Sequence, residues 1–155
     1  MENLNPDFLD FITLLDQRSV EYLIVGGYAV GFHGFPRYTG DIDFFVSVSA
    51  ENAEKLVRVL DDFGFGGMGV EREDFLRPFF IVEIGREPRK IQILTGIDGV
   101  SFQECLQGAV ECTYLERKLR FIGLDALIRN KKASGRPKDL IDVQALKGLQ
   151  AQQPD

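Results

Sequence analysis

Cysteine, histidine and excess positive charge are all scarce in this chain. Its 155 residues include 2 Cys and 1 His, with no C-x-x-C pair and no His cluster, so neither a zinc site nor a disulfide framework is indicated. We expect Cys105 and Cys112 to be reduced, semi-buried thiols. Acidic residues outnumber basic ones by 24 to 18, which gives a net charge of −6. Sequence-independent binding of nucleic acid depends on Lys and Arg, so this balance disfavours it and leaves room only for a local basic patch.

Long hydrophobic runs are missing as well. No run reaches the 18 apolar residues of a membrane-span candidate. The N-terminus lacks a basic segment followed by an apolar stretch, so a signal peptide is not expected. These absences predict a cytoplasmic protein without membrane contact.

The chain contains enough hydrophobic residues to form one hydrophobic core. Hydrophobic residues make up 45% of it and 13 residues are Phe, which suits a domain of this length. We expect a single domain over residues 1–155, with an N-terminal helix at 1–20, a core at 21–122 and C-terminal helices at 123–150.

The apolar periodicity and the capping residues predict an α/β (α+β) fold. Helices are predicted at 6–18, 28–33, 50–63, 101–106, 124–133 and 137–149, and strands at 22–25, 41–48, 79–84, 89–94, 112–114 and 118–121. The strands at 79–84 and 89–94 are expected to form a hairpin. The glycine-rich segment at 64–69 is expected to be a flexible loop.

A glycine turn followed by two carboxylates is the most informative motif. Gly26 and Gly27 follow the apolar run at 22–25, where they allow a tight turn and a close approach to phosphate. A helix starting there would direct free N–H groups at that phosphate. Asp41 and Asp43 are two residues apart, so on a strand both side chains leave the same face. Such a pair suits Mg²⁺ (or Mn²⁺), which takes oxygen ligands and is usually shared with substrate phosphates.

In this spacing the motif resembles the signature of the nucleotidyltransferase superfamily, the DNA polymerase beta-like fold. There, G-G or G-S precedes D-x-D or D-x-E by about a dozen residues. The residues between the two motifs and the later run at 135–142 are similar to small bacterial nucleotidyltransferases related to the toxins of abortive-infection toxin–antitoxin systems. The resemblance covers about residues 22–146.

The resemblance implies a mixed β-sheet flanked by helices, with a C-terminal helical segment. It also implies that Gly26 and Gly27 contact the triphosphate of an NTP, that Asp41 and Asp43 bind the metal, and that Arg37 makes a basic contact. A bidentate guanidinium suits a phosphate. Thr39 is a candidate to orient Asp41 through a hydrogen bond.

The resemblance further implies a third carboxylate on a neighbouring strand, and the matching position holds Gln92. An amide cannot accept a proton as a general base near neutral pH. Asp98, Glu83 or a base on the substrate are the alternatives. Asp98 is equally well read as a turn residue, and Glu83 as a solvent-facing strand residue.

Basic residues gather near the predicted helix end at 129–138. Lys131 and Lys132 are the candidate nucleotide contacts in this segment, which the resemblance places near the nucleotide; a solvated helix end is the other interpretation. We expect Asp139 and Asp142 to make local ion pairs or caps. His33 is expected to be a hydrogen-bonded structural residue, although an acid–base role is the alternative.

The leading hypothesis is a metal-dependent nucleotidyltransferase that moves a nucleoside monophosphate from an NTP to a hydroxyl acceptor. A small molecule, a protein and the 3′ end of a tRNA all remain open as acceptors, and the tRNA acceptor and toxin role rest on the resemblance alone. The competing hypothesis is a catalytically impaired relative that binds a nucleotide or a protein partner, because Gln92 occupies the third acidic position.

Overall fold

The computed structural model describes residues 4–36 and 39–152. Its helices are α1 (Pro6–Gln17), α2 (Gly26–Phe32), α3 (Ala50–Asp62), α4 (Phe102–Leu106), α5 (Leu124–Ser134) and α6 (Pro137–Gln152). Its strands are β1 (Tyr22–Val25), β2 (Ile42–Val46), β3 (Ile81–Arg86), β4 (Arg89–Leu94), β5 (Val110–Tyr114) and β6 (Arg117–Phe121). The predicted α/β architecture is confirmed.

The strands form one mixed sheet in the order β3-β4-β2-β1-β6-β5. β2 pairs in parallel with β4, and β1 in parallel with β6, while the remaining neighbours are antiparallel. The expected hairpin is the β3–β4 pair. The parallel pairing of β2 with β4 places the carboxylate motif beside the strand that carries Gln92.

Side-chain caps set the starts of three helices. The side chain of Asn5 accepts a hydrogen bond from the Asp7 N–H at 2.7 Å, with Pro6 at the first helical position of α1. Ser49 caps α3, and Ser101 caps α4 together with Glu104 in a capping box. α1 and α3 therefore begin where the sequence predicts, and α4 begins one residue later, after its cap.

The structure corrects several local predictions. β3 lies at 81–86 rather than 79–84, β5 begins at 110 rather than 112, and α2 begins at 26 rather than 28. The segment expected to be a flexible glycine loop contains a 3₁₀ turn at Gly66–Met68, followed by a second at Arg72–Leu76, whose Phe75 is buried. The second strand is also shorter than expected, because its pairing with β1 ends at Val46 and Val48 is exposed. At its other end β2 begins at Ile42, so Asp41 lies just before the strand rather than within it.

The two faces of the sheet have different surroundings. One face carries the buried residues Ile42, Phe44 and Val46 of β2, and α1 packs on it through Phe11, whose ring lies 5.4 Å from that of Phe44. Side chains alternate along a strand, so Asp43 and Phe45 lie on the opposite face. There Phe45 packs against Phe102 of α4, which covers one end of this face and leaves the Asp43 end beside a cleft.

No helix in the ranges 4–36 and 39–152 combines the length and the hydrophobicity needed to cross a bilayer. Cys105 and Cys112 are free thiols, the first buried and the second half-buried. Burial raises the pKa of Cys105 to about 11, which leaves it protonated at neutral pH.

Candidate active site

A cleft of about 790 Å³ opens over the carboxylate end of β2. Its volume lies within the range of small-molecule sites. The start of α2, the strands β2 and β4, and the α5–α6 region all contribute to its lining. Gly26, Gly27, Asp41, Asp43 and Gln92 line this one cavity, so the glycine turn, the acidic pair and the third position are brought together.

Asp41 is oriented by the backbone of the neighbouring strand. Its Oδ1 accepts a hydrogen bond from the main-chain N–H of Lys90, in β4, at 2.8 Å. The Thr39 hydroxyl donates to the main-chain oxygen of Asp41 at 3.4 Å, so Thr39 contacts the backbone of Asp41 rather than its carboxylate.

Asp43 is in a less favourable electrostatic environment. Burial, reinforced by the negative charge of Asp41, raises the pKa of Asp43 to about 6. Its buried Oδ1 has no hydrogen-bond partner among the described residues. A buried carboxylate oxygen without a partner costs free energy, and a bound cation would remove that cost.

Gly26 lies directly against this carboxylate. Its φ is +69°, in the left-handed region that favours glycine, and a Cβ built on it would overlap Asp43 Oδ2. Two constraints therefore require glycine at position 26. One is the left-handed backbone conformation, and the other is the lack of space for a Cβ beside the Asp43 carboxylate.

The donor set fits a hard divalent cation. Asp41 and Asp43 offer oxygen ligands, and the unpartnered Oδ1 of Asp43 is of the type that Mg²⁺ takes. Within the described residues no group of three or more His, Cys, Asp or Glu side chains is gathered to hold a metal. Two carboxylates with the remaining positions filled by water and phosphate is the arrangement typical of Mg²⁺.

A polar row crosses three strands at this level. Asp43 of β2 pairs in register with Gln92 of β4, which pairs with Glu83 of β3. The Gln92 amide donates to Glu83 Oε1 at 3.1 Å, and Lys90 Nζ lies 3.3 Å from Glu83 Oε2. A carboxylate, that of Glu83, is thus in contact with Gln92, which occupies the position expected to hold the third carboxylate. Glu83 itself belongs to β3, the edge strand next to β4.

Cations from the α5–α6 region form a second wall of the cleft. Lys131, Arg136 and Lys138 line it, and their charges act against the raised pKa of Asp43. Lys131 is itself buried, and its Nζ lies 3.3 Å from Asp139 Oδ1 and 3.2 Å from Asp142 Oδ2.

Asp139 anchors this wall. Its side chain is 0% exposed, and Arg136 Nε donates to its Oδ2 at 2.7 Å. Burial acts to raise the pKa of Asp139, but the hydrogen bonds and charges of Arg136 and Lys131 outweigh burial and hold it below its usual range. The local ion pairing expected of Asp139 is present, and it extends through Lys131 into a buried network that also includes Asp142.

Hydrogen bonds from α5 fix the turn that follows β4. Asn130 donates to the main-chain oxygen of Asp98 at 2.9 Å, and the Ser134 hydroxyl to its carboxylate at 3.1 Å. Asp98 lines the cleft, and it also lies in a turn closed by the Ile97–Val100 bridge. Its position is therefore compatible both with a role in the site and with a role as a turn residue.

The other candidate residues are distributed differently. Arg37 lies outside the described residues. Lys132 is exposed and does not line the cleft. His33 Nε2 lies 2.7 Å from the Ile122 main-chain oxygen, which is the structural hydrogen bond expected of it.

Three features of the cleft were not foreseen from the sequence. They are the main-chain donor of Lys90, the buried partners of Lys131, and an exposed apolar wall that contains Phe79 and Ile81. The spacing of Asp139 and Asp142 on one helix face was a usable signal for the second feature. The exposed apolar wall depends on the backbone conformation of Phe79, which the sequence analysis did not predict.

The fold is that of nucleotidyltransferases. The lincosamide antibiotic adenylyltransferase LnuA, solved with lincomycin bound, superposes with a TM-score of 0.57 and 17% identity over 96% of this chain and 99% of its own. ANT(2″)-Ia, solved in complex with adenylyl-2″-tobramycin, gives a TM-score of 0.54 and 17% identity over 93% and 92%. An antigenic nucleotidyltransferase-like protein from Paracoccidioides brasiliensis gives a TM-score of 0.53 and 18% identity, over 92% of this chain and 75% of its own.

Sequence comparison gives no assignment of this kind. No protein-family model matches the chain. No curated protein matches it either. The likeness is therefore one of fold, and the activity has to be argued from the site.

Proposed function

We propose that the protein is a metal-dependent nucleotidyltransferase that transfers a nucleoside monophosphate from an NTP to a hydroxyl acceptor. The observation that carries this proposal is the contact of Gly26 with the Asp43 carboxylate, whose buried Oδ1 has no partner among the described residues. A glycine turn, two carboxylates and a cationic wall meet in one cleft, and together they suit a metal-bound triphosphate.

The residues divide into two binding roles. Asp41 and Asp43 would hold Mg²⁺ or Mn²⁺, and Gly26, Gly27 and Lys131 would face the triphosphate. Arg37 and Thr39 are proposed to support phosphate binding from the segment before β2. When bound, the cation supplies charge neutralisation in the phosphoryl region.

The reaction is an in-line displacement at the α-phosphorus. The acceptor oxygen forms a bond to phosphorus, the bond to the β-phosphate oxygen breaks, and pyrophosphate leaves. The proton of the hydroxyl has to pass to a base. Gln92 cannot take it, and the carboxylate hydrogen-bonded to Gln92 is Glu83, which we propose as the proton acceptor.

A pyrophosphate-release assay tests this proposal. The protein is incubated with each of the four NTPs and Mg²⁺, with water as the default acceptor, and pyrophosphate is measured beside an EDTA control. We expect slow, Mg²⁺-dependent release that Asp41→Asn and Asp43→Asn each abolish. Release that persists undiminished in both variants contradicts the assignment.

A second function is favoured by one observation, the amide at the third position. If Glu83 does not serve as a base, the cleft would bind a metal–nucleotide without turnover, and the protein would act as a nucleotide sensor or through a protein partner. Mg²⁺-dependent binding of an NTP with no pyrophosphate release over hours would support this alternative.

A further inference from the structure

The cleft has an apolar wall, formed by residues of the β3–β4 hairpin and the segment before it, in addition to its cationic one. Ile81 of β3 pairs in register with Leu94 of β4, and both line the cleft together with Phe79. Phe79 is 64% exposed and Ile81 53% exposed. Leu94 is two residues from Gln92, so the two share one face of the sheet and the apolar wall is continuous with the polar row that begins at Asp43.

Phe79 is held in this exposed position by an unusual backbone conformation. Its φ is +53° in the turn before β3, which is rare for a bulky L-residue and is found in turns and at functional sites. The ring lies against Gly96, where an added Cβ would come within 3.1 Å of two ring atoms. A strained backbone that exposes an aromatic ring inside a cleft indicates a surface kept for a ligand.

The charges on this wall narrow the class of ligand. Glu83 is the only carboxylate among the described residues of β3 and β4, and it is engaged by Lys90 and Gln92. Asp98, which lines the cleft in the turn after β4, accepts a hydrogen bond from the Ser134 hydroxyl. A polycationic acceptor would need free carboxylates here, and a polynucleotide would need cations, whereas the cleft-lining cations come from α5, α6 and the turn between them.

We propose that Phe79, Ile81 and Leu94 form the acceptor subsite, and that the acceptor is an uncharged small hydroxyl compound with an apolar face. This inference rests on the proposed function. The apolar face packs on the three side chains, and the hydroxyl then lies toward Gln92 and Asp43, because Leu94 and Gln92 follow one another along the same face of β4. In this arrangement the cationic wall binds the triphosphate.

Binding of two matched glycosides tests the acceptor class. Phenyl β-D-glucoside and methyl β-D-glucoside are titrated into the protein with Mg²⁺ and a non-hydrolysable ATP analogue, and tobramycin serves as the polycationic comparison. Burying an aromatic ring contributes enough to expect about tenfold tighter binding of the phenyl compound. We expect Phe79→Ala to remove this preference, Phe79→Leu to retain part of it, and tobramycin to bind more weakly than the phenyl glucoside.

Leu115→Ala is the matched control. Leu115 is also an exposed hydrophobic residue, at 62%, with a positive φ of 47°, but it lies in the turn between β5 and β6 and does not line the cleft. It should leave the preference intact. Thermal unfolding of each variant identifies any that fail to fold.

The outcomes separate this inference from the function on which it rests. Wild-type protein that binds neither the Mg–ATP analogue nor any of the other three NTPs in Mg²⁺ overturns the proposed function. Normal analogue binding with equal affinity for the two glucosides, or with preferred binding of tobramycin, overturns only the acceptor class. Loss of analogue affinity in Phe79→Ala, with the glucoside preference unchanged, would assign the wall to the nucleobase and also overturn the acceptor subsite.

Discussion

Gly26 and Asp43 are in contact across the ends of β1 and β2. The glycine adopts a left-handed conformation at φ +69°, and any Cβ at this position would overlap Asp43 Oδ2. The glycine turn and the acidic motif are therefore one structural unit, and a change in the first displaces the carboxylate of the second.

Gly26→Ala should disable the site through this contact. We expect a loss of about 1–3 kcal/mol in the free energy of unfolding, from the left-handed backbone and the overlap together. We also expect at least a tenfold loss of Mg–NTP affinity because Asp43 has to move. Urea unfolding and calorimetric titration measure the two effects.

Gly31→Ala is the control for that substitution. Gly31 lies in the same helix, and a Cβ added there meets nothing within 4 Å. Alanine is the better helix former by about 0.5–1 kcal/mol, so this variant should be as stable as the parent or more so, with unchanged affinity. Equal effects of the two substitutions would contradict the contact-based explanation.

Asp43→Asn should stabilise the metal-free protein while removing metal binding. Burial and Asp41 raise the pKa of Asp43 to about 6, above the ordinary value of 3.8. A raised pKa means that ionisation opposes folding, so the penalty is absent below pH 4, develops between pH 4 and 6, and is complete above pH 6. We expect the variant to gain about 1–2 kcal/mol over the parent at pH 8 and little at pH 4.

This gain is measured by urea unfolding in EDTA at both pH values. Asp41→Asn is the comparison, since Asp41 accepts a main-chain hydrogen bond from Lys90 and should gain nothing from losing its charge. A gain for Asp43→Asn that is the same at pH 4 and pH 8 would show that ionisation of Asp43 is not the cause.

Lys131→Met should destabilise the protein, whereas Lys132→Met should not. The buried Lys131 ammonium lies between Asp139 and Asp142, and removing one member of a buried ion network typically costs about 3–5 kcal/mol. Lys132 is exposed, so its replacement should change the free energy of unfolding by less than about 0.5 kcal/mol. Thermal unfolding of the adjacent pair measures the difference.

The same pair of variants tests the predicted nucleotide contacts. We expect Lys131→Met to weaken Mg–NTP binding, and Lys132→Met to change it less than about twofold because Lys132 does not line the cleft. A larger loss of affinity in Lys132→Met would indicate that Lys132 contacts the nucleotide after all.

Gln92→Asp should raise turnover. It introduces a carboxylate beside Asp43 in the strand register, and a positioned general base contributes about 10²–10⁴-fold to rate. We expect at least a tenfold increase in pyrophosphate release. A rate that stays at the parent level would mean that proton transfer is not limiting.

Glu83→Gln identifies the base in the parent protein. Glu83 is half-exposed on the edge strand β3, so the substitution should leave the fold and NTP binding intact. We expect turnover to fall at least tenfold. Unchanged turnover would exclude Glu83 as the proton acceptor.

The sequence was sufficient to predict six helices and six strands with approximate bounds and to single out the glycine turn and the acidic pair, whereas the contact between Gly26 and Asp43 was not predicted. These features depend on local signals, such as the Asn5 and Ser49 caps and the alternation of apolar residues on β2. The end of β2 was wrong by two residues because strand pairing, rather than propensity, stops it at Val46.

The rest of the site depends on contacts between distant segments. The Lys90 main-chain donor to Asp41 spans 49 residues of sequence, and the Lys131 network joins two helices. The exposure of Phe79 follows from a backbone conformation that its residue type does not favour. Signals of these kinds are absent from a single sequence.

The central claim is that the cleft binds a metal-complexed nucleotide, and calorimetric titration with the four NTPs tests it most directly. Wild-type protein is titrated with each NTP in Mg²⁺ and then in EDTA, and Asp43→Asn is titrated in Mg²⁺. We expect binding of at least one NTP in Mg²⁺, with loss of affinity in EDTA and in the variant. Absence of binding to all four NTPs, or binding that neither EDTA nor the variant weakens, would contradict the account.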